Sequence, residues 1–331
     1  MILEAAMTLT KHFLLPGSLI LLSFSGLAGA QVQAVDFIQL FEKMSGKQPG
    51  LRKAHARGVC AAGVFEPADS GPFVSAPLLS QGSLPVSLRF SVGGGNPAAD
   101  ERAPGTRGMG MQISLADGSK HTFTGNNFPV FAGKDPQTFF GFLSTLLPDE
   151  QGQRDPKRMA DYVAMHPSVQ GHYAWLKSAK TPASYANTEF FGLHTFFFQP
   201  KDESQIKFRW QLIPEAGVKT LEAEEAKAKP ADFLAAKLAE QIATGEVSYS
   251  LVASLGEPTD SNIDPSSPWP ADRPQVLLGK VRLNSAGGDS CTAINFDPNQ
   301  LSRGFTPSDD PVLKMRSPAY AISFGKRLSG Q

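Results

Sequence analysis

The sequence predicts an α+β protein in which short antiparallel strands dominate and a few helices pack around them. Three observations carry that expectation. The 331 residues include 26 prolines and 31 glycines, spread widely enough to keep elements short and loops long. Runs of β-branched and aromatic residues recur between Gly, Pro and Asp-Gly turns. With 41% apolar residues and 23 phenylalanines, the chain can bury a sizeable core. Lys plus Arg and Asp plus Glu are equal at 31 each, so no global field draws the protein to nucleic acid or an anionic membrane.

The N-terminus stands apart. After Lys11 comes "FLLPGSLILLSFSGLAGA", an apolar run ending in Ala28-Gly29-Ala30. That form predicts a secretory signal over residues 1–30, with cleavage after Ala30 and a mature domain over 31–331. Pro16, Gly17 and several serines break the run, which argues against a membrane span, and no later segment is long and apolar enough to provide one. The expected destination is the periplasm. Of the two cysteines, Cys60 lies in the apolar run "RGVCAAGVF" and reads as a buried thiol. An exported protein could join it to Cys291, but two sulfurs so far apart carry no framework information. The expectation is two unpaired cysteines.

Along the mature chain, residues 33–44 predict a short amphipathic helix. Strands are expected at 58–65, 84–92, 109–115 and 120–124, with Asp117-Gly118 marking a hairpin. Asp135-Pro136 gives an N-cap and first helical position for a helix over 135–148, and residues 157–178 read as helical pieces interrupted by Pro167. Further strands are expected at 190–198, 205–213 and 246–254. The segment "KPADFLAAKLAEQIATG" between the last two forms a surface helix ending at Gly245. Residues 256–274 are proline-rich and wrap the surface in extended form. A strand at 275–283 and a loop-rich tail lead to a last helix, starting at Ser317-Pro318 as N-cap and first position and carrying Tyr320.

Several familiar chemistries are absent from this sequence. There is no Walker loop, G-x-S-x-G elbow or H-E-x-x-H motif, and neither "VGGGNP" nor "RGMGMQ" forms a dinucleotide fingerprint. Two cysteines make a structural zinc site unsupported. His166 and His172, flanking Pro167, read as loop or core histidines. What remains are Arg52 and His55 in "LRKAHARG", Arg89 and Ser91 in "LRFS", Asn127 in "GNNFPVF", and a phenol between two guanidiniums in "RSPAYAISFGKR". On a helix Arg316, Tyr320 and Arg327 lie on roughly one face. A cation there favours the ionised phenol.

Taken in order, these segments resemble the haem catalases. That family pairs a distal His in R-x-x-H with an Asn in N-x-P-x-F, and ligates haem iron through Tyr in R-x-x-x-Y. The matches are Arg52-x-x-His55, Asn127-x-Pro129-x-Phe131 and Arg316-x-x-x-Tyr320, supported by "RFS" and by "FGLHTF" around His194. The resemblance spans residues 34–327. The chain stops just after the ligand helix, as in the small catalase-related peroxidases.

The resemblance implies an antiparallel β-barrel core surrounded by helices, with haem, most simply haem b, between barrel and helices. It implies Tyr320 as the iron ligand, kept as phenolate by Arg316, and Arg52, Arg89 and Arg327 as clamps on the haem propionates. His55 becomes the general base, Asn127 the group that orients peroxide, Ser91 the support of the His55 ring, and Phe139 a ring stacked on haem. The implied activity is reduction of hydrogen peroxide or organic hydroperoxides through a ferryl intermediate, with electrons from an unidentified donor. Ala54 replaces a bulkier valine common in the family, and "GGGNPAADERAPGTRG" replaces its channel loop. A wider approach, stronger peroxidase and weaker catalase turnover follow. The alternatives are fatty-acid hydroperoxide isomerisation and an exported haem carrier.

Overall fold

The computed structural model describes residues 31–201 and 204–331. The expected export signal at 1–30 lies outside the described residues. Eleven strands appear: β1 (Gly58–Pro67), β2 (Leu84–Val92), β3 (Arg107–Ser114), β4 (Lys120–Asn126), β5 (Thr181–Pro182), β6 (Phe190–Phe198), β7 (Ile206–Pro214), β8 (Thr220–Leu221), β9 (Val247–Leu255), β10 (Gln275–Ala286) and β11 (Phe305–Pro307). They are accompanied by α1 (Ala34–Ser45), α2 (Pro136–Ser144), α3 (Pro156–Met165), α4 (Pro167–Ser178), α5 (Ala223–Lys227), α6 (Phe233–Thr244) and α7 (Pro311–Leu328).

Eight strands pair antiparallel in the order β6-β4-β3-β2-β1-β10-β9-β7, and β6 pairs with β7 to close the barrel. Short β11 pairs with Phe196–Phe198 at the end of β6, while β5 and β8 form a separate ribbon. Closure removes the exposed edges that an open sheet would present. Alternation then sorts the side chains. Phe65, Phe90, Met109, Met111, Phe123, Trp210, Tyr249 and Leu251 form one buried cluster within the core. Each such phenylalanine contributes about 1.5–3 kcal/mol through burial. Their neighbours in sequence, Arg89 and Ser91 on β2 and Thr124 and Asn126 on β4, face the opposite side, toward the helices.

Most expected elements fall where the pattern put them, and Pro167 does separate two helices. Two expectations are corrected. The last helix starts at Pro311, not at Pro318. Asp310 caps it, its Oδ1 accepting from the amides of Val312 at 2.8 Å and Leu313 at 3.3 Å. Pro318 therefore sits inside α7, where it cannot donate to a carbonyl one turn back. Asn299 supports this stretch, donating through Nδ2 to the Leu313 carbonyl at 3.1 Å and to Ser317 Oγ at 2.8 Å.

The second correction concerns the cysteines, which are joined: Cys60 and Cys291 form a disulfide with Cα atoms 5.4 Å apart. The physical reason is topological. β1 pairs with β10, placing Ala61 opposite Ala286. The chain turns back immediately afterwards, the Gly287 amide donating to the Cys60 carbonyl at 2.8 Å. Cys291 thus arrives beside Cys60 despite a sequence separation of 231. No helix among the described residues is long and apolar enough to cross a membrane.

Candidate active site

A cavity of about 820 Å³ lies between the outer face of β2, β3 and β4 and the helices α1, α2 and α7. That volume falls in the range of small-molecule and cofactor sites. His55, Ser91, Arg52, Arg89, Phe139, Arg316, Tyr320 and Arg327 all line it. Residues separated by up to 275 positions are brought together as the resemblance implied.

The barrel wall is organised by register. Ser91 stands opposite Gly108, and Gly108 opposite Asn126, giving one row across three strands. His55 approaches this row from the loop before β1. Its Nδ1 lies 3.0 Å from Ser91 Oγ, and Ser91 Oγ donates to the Gly108 carbonyl at 3.3 Å. With the hydroxyl proton so committed, Nδ1 must be the donor to Ser91, which leaves Nε2 as an acceptor toward the cavity. Gly108 is required at the centre of the row: a Cβ there would meet His55 Nδ1 at 2.6 Å and Ser91 Oγ at 2.8 Å. His55 itself adopts φ 54°, and among the described residues no other non-glycine has positive φ. Such a conformation costs about 1–3 kcal/mol and needs support from its surroundings. Arg89 supplies it, donating to the His55 carbonyl at 2.8 Å and the Ala56 carbonyl at 2.9 Å.

Electrostatics keep this imidazole neutral. Burial pushes the His55 pKa down to about 4, and the guanidiniums of Arg89, Arg316 and Arg52 add to the effect. The same crowding acts on the arginines. Burial, then Arg89 and Arg327, push Arg52 down to about 9, and burial pushes Arg89 down to about 10. Among the described residues no carboxylate lies within ion-pairing distance of Arg52, Arg89, Arg316 or Arg327. The cavity therefore holds four clustered guanidiniums that no carboxylate among the described residues pairs with.

Facing His55 across the cavity is α7. Arg316 donates through Nη2 to the Tyr320 hydroxyl at 2.7 Å, one helical turn apart. Arg316 Nη1 lies 3.4 Å from His194 Nε2, and His194 Nδ1 lies 2.6 Å from Asp310 Oδ2. A break in β6–β7 pairing between Gly192 and Phe196 frees His194 to point at α7. Burial holds His194 below the usual imidazole range, so its Nε2 accepts from Arg316 while Nδ1–H donates to Asp310. Asp310 thus caps α7 with one oxygen and orients the Arg316–Tyr320 pair with the other.

One predicted residue is placed elsewhere. Asn127 does not line the cavity: its Oδ1 accepts from the Arg107 amide at 2.7 Å and its Nδ2 donates to the Gly105 carbonyl at 3.2 Å. Its neighbour Asn126 lines the cavity instead, with its backbone in the β3–β4 ladder and no side-chain hydrogen bond to the described residues. The phase of β4 was the missed signal. Thr124 and Asn126 share one face because Phe123 occupies the other. Sequence reasoning also missed Asp310 and Asp100. Asp100 lines the cavity near Gly93–Gly95, Ala103 and Thr106, and the guanidinium of Arg102 holds its carboxyl well below the usual range. Phe139 is in the lining, its ring 4.6 Å from Phe131 and 5.6 Å from Phe37. His172 bonds the Val130 carbonyl at 3.1 Å and His166 stacks on Tyr162, as expected of core and loop histidines.

A closed eight-stranded antiparallel barrel with an imidazole and a phenol on opposite walls of one cavity defines a haem-enzyme architecture of the catalase kind. The chain belongs to the catalase family, whose profile matches residues 27–331. It is 36% identical over 310 residues to a catalase-related peroxidase of Synechococcus elongatus, covering 92% of this chain and 91% of that protein. A catalase-related peroxidase of Mycolicibacterium paratuberculosis is also 36% identical, over 88% of this chain and 92% of that one. Among solved structures, a fungal catalase superposes with TM-score 0.76 at 24% identity, over 98% of this chain and 66% of the catalase. Catalase A from Saccharomyces cerevisiae gives 0.73 at 23%, over 89% and 64%. Family membership implies haem. The residues present fit it: an oxygen donor backed by a cation, an opposing imidazole, and guanidiniums suited to two carboxylates.

Proposed function

We propose that the protein is a haem peroxidase that reduces hydrogen peroxide and organic hydroperoxides in the cavity between His55 and Tyr320. The observation that carries this reading is the free Nε2 of a neutral His55, held by Ser91 and aimed into a space opposite the Arg316–Tyr320 pair. Haem, taken as haem b with ferric iron, supplies the centre that accepts oxidising equivalents from peroxide and passes them to a donor.

The roles of the chain's residues follow from their placement. Tyr320 Oη would hold the iron as phenolate, and Arg316, donating to it at 2.7 Å, would stabilise its negative charge through a charge-assisted hydrogen bond. His194 and Asp310 keep Arg316 at that oxygen. Arg52 and Arg327, with the second N–H groups of Arg89, hold the two propionates. His55 Nε2 takes the proton from the proximal peroxide oxygen and returns it to the departing one. Asn126, in place of Asn127, donates its amide to the peroxide and orients it beside His55. Phe139, in the cavity lining, would supply an apolar contact to the haem.

Alongside Asn96, Asp100, Pro104 and Arg107, the lining includes the small residues Gly93, Gly94, Gly95, Ala99, Ala103 and Thr106. Small residues there admit organic hydroperoxides and bulky reductants, which favours peroxidase turnover over disproportionation. The electron donor is a small molecule or protein of unassigned chemistry. Export to the periplasm accords with the apolar N-terminal run and with a disulfide, which persists in oxidising compartments.

The test is an absorption spectrum of purified protein with and without peroxide, followed by steady-state assays. We expect a Tyr-ligated haem spectrum that changes on peroxide addition, oxidation of chromogenic donors, and slow oxygen release. His55→Ala should lower turnover by roughly 10²–10⁴-fold while haem stays bound. Unchanged turnover in that variant would remove His55 as the acid–base group; absence of turnover in the parent protein would reduce it to a carrier.

A further inference from the structure

The segment after β10 ties together parts of the site that the sequence keeps far apart. At one end, Cys291 is bonded to Cys60, and its amide lies 3.1 Å from Cys60 Sγ. Three residues on, the Ile294 carbonyl accepts from Arg52 Nη2 at 2.9 Å and from Arg327 Nη2 at 3.5 Å. The Cys291 carbonyl accepts from the same Arg52 nitrogen at 3.3 Å. The Phe296 carbonyl accepts from Thr124 Oγ1 at 2.8 Å, and its ring fills the space beside Gly110, where a Cβ would meet it at 2.7 Å. Further along, Asp297 Oδ1 accepts from Ser317 Oγ at 3.0 Å on α7. Cys60, Cys291 and Phe296 form a small buried cluster against which Ile294 and Tyr320 pack.

Two features make this arrangement more than a stabilising staple. The segment contains no helix or strand from Gly287 to Arg303, so its path is fixed by isolated turn and loop hydrogen bonds, side-chain contacts and the disulfide rather than by a continuous ladder. Its carbonyls are also the acceptors that hold two cavity guanidiniums, for which no carboxylate partner exists among the described residues. A guanidinium whose orientation is set beforehand loses less entropy when its planar fork engages a carboxylate.

We propose that the Cys60–Cys291 disulfide is a positioning element of the haem carboxylate site, acting through the Cys291 and Ile294 carbonyls on Arg52 and Arg327. With the bond in place, the strap holds both guanidiniums facing the cavity. Without it, the strap moves, the two forks lose their orientation, and recognition of the propionates weakens. The proposal rests on the reading of Arg52 and Arg327 as carboxylate clamps, and its test separates the two.

Apo-protein is titrated with haem and with haem whose two propionates are methyl esters, following the absorbance of the bound pigment. The wild type and the Cys60→Ser/Cys291→Ser variant are compared, with thermal unfolding of each recorded separately. The wild type should prefer the free acid by about tenfold or more, because esters cannot form charge-assisted bonds. The variant should bind both pigments with a preference reduced to about twofold or less. A preference as large as the wild type's, whatever the change in melting temperature, overturns the proposal and leaves the bond as a stabiliser of the fold. A wild type that binds both pigments equally overturns the clamp reading and the proposal with it. Should the serine variant be insoluble, Cys60→Ala with Cys291→Val fills the same apolar space and answers the same question.

Discussion

Arg316 Nη2 and the Tyr320 hydroxyl are 2.7 Å apart on one face of α7, and the far side of Arg316 is held by His194. A guanidinium fixed on both sides presents its charge to one oxygen only. Tyr320→Phe removes that oxygen and leaves the half-buried Arg316 without its hydroxyl partner. The variant should lose haem on desalting and lose peroxide turnover with it, while circular dichroism of the barrel is unchanged. Full pigment retention at undiminished turnover would exclude Tyr320 as the ligand.

The two adjacent asparagines give an internal comparison. Asn126→Ala should lower peroxide turnover by about 10²–10³-fold with haem content and melting temperature near wild type, as expected for a donor acting on developing charge. Asn127→Ala removes both the acceptor for the Arg107 amide and the donor to Gly105. It should cost about 1–3 kcal/mol of stability, read from denaturant midpoints, with a smaller effect on turnover per bound haem. The reverse pattern would restore Asn127 to the site.

Gly108→Ala tests the row across β2, β3 and β4. The new methyl would stand 2.6 Å from His55 Nδ1, and the ring must swing away from Ser91. Peroxide turnover should fall while haem binding on the α7 side persists. A variant with normal turnover would mean that the Ser91–His55 contact does not orient the base.

Acid should weaken the apo-protein at a pH where carboxylates are still ionised. Burial holds His55 and His172 at about 4 and His121 at about 3, against about 6.5 in an unfolded chain. Between those values the unfolded chain binds more protons than the folded one, so stability falls as pH falls. The loss should begin near pH 6.5 and approach about 1.4 kcal/mol per pH unit for each histidine that remains neutral. Denaturant midpoints measured from pH 7 to pH 5 read this directly. A flat profile there would show that these imidazoles are charged in the folded state.

Legibility in the sequence followed the kind of information each feature needs. His55, Ser91 and Tyr320 were legible only through the ordered resemblance to the catalase motifs, and all three line one cavity. Helix and strand existence was readable from period and turn residues, and Asp310-Pro311 repeats the start signal of Asp135-Pro136. Pro318 masked it, because proline is more often found at a helix start than inside one. Choosing between Asn126 and Asn127 required the phase of β4, which Phe123 could have supplied. The disulfide could not be read at all. It depends on β1 lying beside β10, a neighbourhood that no local pattern encodes.

The left-handed backbone at His55 sets activity against robustness in this chain. Only glycine adopts such a conformation without cost, so replacing the imidazole by glycine should give a protein harder to unfold than the alanine variant and, in apo form, harder than the parent. Random selection for heat tolerance alone would then tend to discard the one ring that the whole barrel wall is arranged to hold.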